Sequence, residues 1–266
     1  MEISAVQYGL SVVSGVLVGF SLGLIGGGGS ILAVPLFLYV VGLSALPDSA
    51  HIAVGTTALA VGLNAFINSY MHLRKRNIEP RVGVIFATVG LVGSLLGAYV
   101  GHLTPGTSLL TYFATAMIAL GIYVAVHKER AQPGKDGSRG STSLTTTVAA
   151  KTAAVGFAVG FLSGYFGIGG GFLIVPSLMY AAGLPITRAI GTSLISVGTF
   201  GIAAGAVYWY YGKVIPLISA LYVLGGVTGG YLGTSLAVKA PKDALRKAYG
   251  GVIIAVGMYM LYKIYG

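Results

Sequence analysis

A chain of 266 residues with 55% hydrophobic and only 8% charged side chains, and a mean hydropathy of +0.87, lacks the polar surface that a water-soluble domain needs. Its 43 glycines follow no Gly-X-Y period and its 9 prolines are few, which argues against collagen and low-complexity disorder; without cysteine there is no disulfide framework, thiolate metal site or catalytic thiol. The net charge of +10 sits between apolar segments rather than on an aromatic-interleaved basic face, so it reads as membrane topology and not as nucleic-acid binding.

In chain order, MEISAVQYGLSVVSGV has no basic n-region or A-x-A pattern, so no removed signal peptide is expected and the first segment reads as a membrane helix. A hydrocarbon core of about 30 Å needs roughly 20 helical residues. Apolar stretches near that length run over 7–25, 52–72, 82–102 and 107–126, and again over 148–166, 189–211, 214–236 and 246–264. Two shorter apolar pieces, 30–43 and 171–184, each follow a glycine cluster and read as half-length or recessed helices.

The halves repeat each other. LIGGGGSILAVP, from Leu24 to Pro35, aligns without gaps on YFGIGGGFLIVP, from Tyr165 to Pro176. Further on, Val54 to Leu59 aligns on Ile190 to Ile195, and Pro80, Gly90, Gly93 and Gly97 match Pro216, Gly226, Gly229 and Gly233. The polar stretch between them reads as a linker. The organisation expected is a first membrane repeat over 1–126, a cytoplasmic linker over 127–147 and a second membrane repeat over 148–266.

Loop charge sets the topology. If each half crosses five times, every one of the 16 Lys and Arg residues except Lys213 and Lys263 falls on one side; four passes per half divide them more evenly, against the positive-inside tendency. The expected fold is therefore an all-α polytopic membrane protein of about ten segments in two inverted five-segment repeats, in the cell membrane, with both termini outside. The run Tyr208, Trp209, Tyr210, Tyr211 is read as an aromatic belt at the outer interface.

No carboxylate is expected inside the bilayer, because Glu2, Asp48, Glu79, Glu129, Asp136 and Asp243 all fall in loops or tails. Cation and proton transporters usually keep one there. His51, His72, His102 and His127 lie near helix ends and read as scattered interfacial residues. No zinc-protease, P-loop or nucleophile-elbow motif is present, so neither a catalytic residue nor a metal or other cofactor is expected.

An anion can be held without charged side chains, by backbone N–H groups and the positive ends of helix dipoles. Glycine clusters that let the backbone unwind suit that use: Gly26, Gly27, Gly28 and Gly29 with Ser30 after them, and Gly167, Gly169, Gly170 and Gly171. Tight helix crossing is the other use of glycine, and Gly93, Gly97 and Gly101 read as such a row. Pro35 and Pro176 follow the clusters and mark irregular backbone. Thr56 and Thr57, matched by Thr192 and Ser193, can donate to an oxyanion or bond back to their own helix. Asn64 and Asn68 lie a turn apart, open to the ligand or to interhelical bonding. Arg188, at a cytoplasmic helix end, is placed at an entrance that attracts anions.

The duplicated G-x-G-G-G-x-L-x-V-P, each copy followed by a G-T-[ST] helix, resembles the sulfite exporter TauE/SafE family of membrane permeases. The first copy departs slightly, with Gly27 where the second has Ile168. The resemblance implies export or exchange of sulfite, organosulfonates or other small anions. The leading reading is a secondary transporter working by alternating access around a midplane site between the glycine breaks, with an anion channel and a non-transporting scaffold as alternatives. The partners expected are a small anion and the lipid bilayer, with no nucleic acid; glycine rows also allow a homodimer.

Overall fold

Backbone buried in lipid must satisfy its own hydrogen bonds, and helices do so within each segment. The computed structural model describes residues 4–74, 77–126, 146–167, 171–236 and 242–266, and nearly all of them are helical. The long helices are α1 (Ala5–Ile25), α3 (Ser49–Arg74), α4 (Pro80–Leu103), α5 (Gly106–Val126), α6 (Thr146–Phe166), α8 (Ile186–Tyr210), α9 (Pro216–Leu236) and α10 (Lys242–Tyr265). Between α1 and α3 lies a broken segment made of a 3-10 helix (Gly26–Leu32), one α-turn designated α2 (Ala33–Pro35) and a π-helical turn (Leu36–Val40). Its counterpart is α7 (Gly171–Ala182). Among the described residues seven helices are long and apolar enough to cross a membrane, with shorter apolar helices in the broken segment, α7 and α10. The hydropathy reading placed each element within a few residues of these bounds, and the all-α polytopic fold stands as expected.

The two halves pack crosswise rather than side by side. Helix α1 lies along α9, and α4 lies along α6. Both contacts are glycine seams: a Cβ on Gly93 or Gly97 would collide with the carbonyl oxygens of Phe157 and Phe161, and one on Gly229 or Gly233 with those of Val16 and Phe20. The repeat aligns these four contacts pairwise, so matched sequence makes matched packing, as small residues do where helices approach closely. The expected packing row of Gly93, Gly97 and Gly101 is present, and its partner is α6 of the other half.

At the centre, α3 packs on α8. Gly55 lies against Tyr208, Gly62 against Gly201 and Ile202, and Gly198 against Phe66; residue numbers fall along one helix as they rise along the other, so the two run antiparallel. The α5–α10 pair is also antiparallel, with Gly121 at Gly250 and Thr111 hydrogen-bonded to Tyr265. Both pairs join helices that the repeat matches.

The aromatic belt needs a correction. Tyr210 is 84% exposed and Trp209 about half exposed, as an interfacial residue should be, but Tyr208 is fully buried. It faces α3, where the absence of a side chain at Gly55 makes room for its Cβ.

Candidate functional site

The glycine clusters fold differently in the two halves. After α1 the chain winds as a 3-10 helix rather than as opened backbone. That tighter helix eclipses side chains three apart, a cost that a glycine run avoids. The path also turns back on itself, because a Cβ at Gly29 would collide with the backbone of Ser21 and Leu22 in α1. Gly27 and Gly28 lie within this 3-10 helix, while Gly29 and Ser30 are buried. Pro35, which has no N–H to donate, closes α2, and the ladder shifts to a π turn with Val41 N–H on the Leu36 carbonyl at 2.9 Å.

In the second half the break starts at Gly167, the counterpart of Gly26. It takes φ +65° at the end of α6 and presses on Val54 of α3, a left-handed helix cap that glycine accepts without penalty. Gly169 and Gly170 lie outside the described residues; Gly171 opens α7, and Pro176 sits inside it. The 3-10 helix and α7 pack on each other, with α8 against both. The two glycine-led segments, far apart in sequence, thus meet.

The paired hydroxyls divide into two roles. Thr57 bonds the carbonyls of Ala53 and Val54 in its own helix at 2.7 and 3.1 Å, and Ser193 that of Ile190 at 2.7 Å. Thr56 accepts from the backbone N–H of Ile215 at 3.1 Å, and Thr192 from that of Glu79 at 2.9 Å. Ile215 and Glu79 directly precede Pro216 and Pro80, which open α9 and α4, so each threonine satisfies an otherwise orphaned N–H at the start of a helix in the other half.

Asn64 and Asn68 are fully buried on α3 and lie over Gly226 and Gly230 of α9, where any side chain would displace them. The Asn68 amide nitrogen donates to the Asn64 carbonyl at 2.9 Å, and no interhelical hydrogen bond of either is seen among the described residues. Among the described residues the Asn64 amide nitrogen and the Asn68 side-chain oxygen have no partner. Arg188 pairs with Glu79 at 3.3 Å, first half to second.

A second ion-paired cluster was not legible in the sequence. Asp48, just before α3, accepts from Lys213 at 2.6 Å and from His51. His51 also reaches the Thr104 carbonyl at 2.9 Å, and its ring centroid lies 5.8 Å from that of His102, which stacks on Tyr211 at 3.8 Å. The histidines read as scattered are therefore, in these two cases, neighbours. Partial burial pushes the Asp48 carboxyl up, but hydrogen bonds from His51 and Lys213 and their charges outweigh it and hold it below the usual carboxylate range. Lys263 lines an open pocket together with Asp48, Gly106 and Thr107, so the two basic residues assigned to the outer side lie at the same end of the bundle, Lys213 paired with Asp48 and Lys263 across a pocket from it. Their isolation in the charge count was the one available signal.

Buried glycine seams, proline-interrupted short helices and ion pairs confined to helix ends define a polytopic helical membrane protein. The sequence pattern of the sulfite exporter TauE/SafE family matches residues 11–260, and the chain belongs to that family. It is similar to a probable membrane transporter protein of Xylella fastidiosa (strain 9a5c), 42% identical over 262 residues that cover 96% of this chain and 95% of the relative. Similar too are probable membrane transporter proteins of Bacillus subtilis (strain 168), YdhB, at 28% identity over 92% of this chain and 97% of the relative, and of Methanocaldococcus jannaschii, at 27% over 95% and 94%. No solved structure matches the chain. It is a membrane transporter and not an enzyme.

Proposed function

We propose that the protein is a secondary transporter of small anions, sulfite, organosulfonates or related sulfur-containing anions, working by alternating access in the cell membrane. The observation that carries this reading is the meeting of the 3-10 helix with α7, with α8 packed against both. The 3-10 helix is itself a glycine run and leads into Pro35 of α2, α7 opens on a glycine and carries Pro176 inside it, and Gly167, at the end of α6, takes a left-handed turn. Backbone amides freed at such breaks suit an anion, and irregular backbone at membrane depth is tolerated only in protein or beside a cavity.

Antiparallel packing of matched helices supports inverted halves that rock about this centre, and the placing of Asp48, Lys213 and Lys263 at one end of the bundle supports ten segments with both termini outside. The linker then faces the cytoplasm. Gly27 to Ser30, Gly169 to Gly171, Pro35 and Pro176 form the backbone of the site. Asn64, whose amide nitrogen is unpartnered, is its side-chain donor. Thr56 and Thr192 brace the surrounding helices through their cross-half hydrogen bonds, and Thr57 and Ser193 lie next to them. Arg188 stands at the cytoplasmic entrance. No nucleotide-binding motif is present in the sequence, so an ion or substrate gradient drives the cycle. Flux of sulfite, sulfoacetate, thiosulfate and small carboxylates into proteoliposomes tests the reading: saturable uptake of at least one sulfur-containing anion supports it, and no uptake of any anion by folded protein defeats it.

A further inference from the structure

The cluster at Asp48 contains a histidine whose protonation state is set by its partners. His51 is buried, at 6% exposure, with Nδ1 on the Asp48 carboxylate and Nε2 on the Thr104 carbonyl. A carboxylate and a carbonyl only accept hydrogen bonds, so both ring nitrogens must donate, and a ring with two N–H groups is the imidazolium. Neutral His51 has one N–H. The charge-assisted bond to Asp48 is the stronger of the two, so the neutral ring keeps Nδ1–H and releases Thr104.

What His51 joins gives this proton a consequence. Lys213, between α8 and α9, holds Asp48; Asp48 holds His51; His51 holds Thr104 at the end of α4; and the Thr104 hydroxyl accepts from Tyr165 of α6 at 3.2 Å. The relay starts in the second half, crosses the first and returns to the second. His51 is its middle link and the one member that changes charge between pH 5 and 8 in ordinary surroundings. The titratable groups facing it are Asp48 before its own helix, His102 from α4 and Tyr208 near the end of α8, with Lys213 behind Asp48 and Tyr211, just past α8, stacked on His102. Tyr165 of α6 and Lys263 of α10 stand one contact further out, at Thr104 and in the pocket beside Asp48.

We propose that His51 is a proton-binding site that latches this end of the transporter: protonated, it ties the α4–α5 corner to α3 and through Asp48 to Lys213; deprotonated, it releases that corner from α3 and leaves it held by Tyr165 of α6. The proposal rests on the alternating-access reading and adds the proton as the ligand that holds the outer gate shut. The latch holds at low pH and loosens as pH rises, because the second ring N–H is lost.

The chain has no cysteine among its 266 residues, so a label pair at Thr107→Cys on the α4–α5 corner and Tyr210→Cys at the end of α8 reports the opening directly. The full-length protein in lipid nanodiscs is measured by electron-spin distance distributions from pH 5 to 8.5. The expected result is a short distance at low pH that gives way to a longer one, the ratio of long to short rising about tenfold per pH unit as one proton's control requires. His51→Gln abolishes the pH dependence, and His102→Gln retains it. Asp48 has φ 56°, a conformation asparagine also accepts, so Asp48→Asn should fold and, with the charge-assisted bonds to His51 and Lys213 gone, raise the share of the long distance at low pH. A distance indifferent to pH, a transition that survives His51→Gln, or one that His102→Gln abolishes overturns the proposal. No substrate enters this measurement, so a failed flux assay defeats the anion reading and leaves the latch to be judged by distance alone.

Discussion

Replacing Gly62 by alanine tests whether the α3–α8 crossing is held by backbone contact. The added Cβ would lie 2.7 Å from the Ile202 nitrogen, 2.9 Å from the Gly201 carbonyl carbon and 3.1 Å from its Cα. All three are backbone atoms, which cannot rotate away. Restoring a carbon contact of about 3.5 Å requires the helices to part by roughly 0.5 Å or more. Overpacking of this kind costs about 1–3 kcal/mol, and the better helix propensity of alanine returns about 1 kcal/mol, leaving a net loss of up to about 2 kcal/mol. Gly251, in α10, is the control: nothing stands within 4 Å of its Cβ position, so Gly251→Ala keeps the propensity gain of about 0.5–1 kcal/mol alone. Thermal unfolding in detergent should move the two variants in opposite directions, Gly62→Ala down and Gly251→Ala up. A shift of the same sign and size in both would refute the reasoning that glycine here serves close packing.

Thr56→Val and Thr192→Val each remove one cross-half hydrogen bond and should each cost about 1 kcal/mol, with similar losses on urea or thermal titration because their partners Ile215 and Glu79 are equivalent in the repeat. Gly29→Val and Gly167→Ala place a Cβ into the backbone of α1 and into Val54; both should abolish flux in proteoliposomes while the protein still inserts and purifies, and normal transport by both would defeat the glycine-break site. Arg188→Gln should slow uptake at low salt and have little effect at high salt, where screening removes the steering field, and the Glu79 pairing makes the loss smaller than a free guanidinium would give. Single cysteines at Ser4 and Ser138 test the topology: an impermeant reagent on intact cells should label the first and spare the second.

Much of this architecture was legible because bilayer thickness sets helix length, and hydropathy reports it almost residue by residue. The seams were half legible. Gly93 and Gly97 could be recognised as a small-residue row, but their partners Phe157 and Phe161 lie on a helix of the other half, which no local pattern names. Thr56 and Thr57 looked alike in sequence and part company in the fold, since one faces α9 and the other its own helix. Gly167 was read only as one member of the second glycine cluster, and the fold gives it a separate part as the left-handed residue at the end of α6; a helix cap selects its glycine by position rather than by number in a run. His51 and His102 were read as scattered because sequence distance hides a centroid separation of 5.8 Å.

Counterflow tests the central claim most directly. Proteoliposomes loaded with millimolar unlabelled sulfite and diluted into trace labelled sulfite should accumulate label transiently above equilibrium, because a carrier with one alternating site returns loaded faster than empty. Label that merely equilibrates, at a rate indifferent to internal sulfite, would contradict alternating access around the glycine breaks and leave a channel in its place.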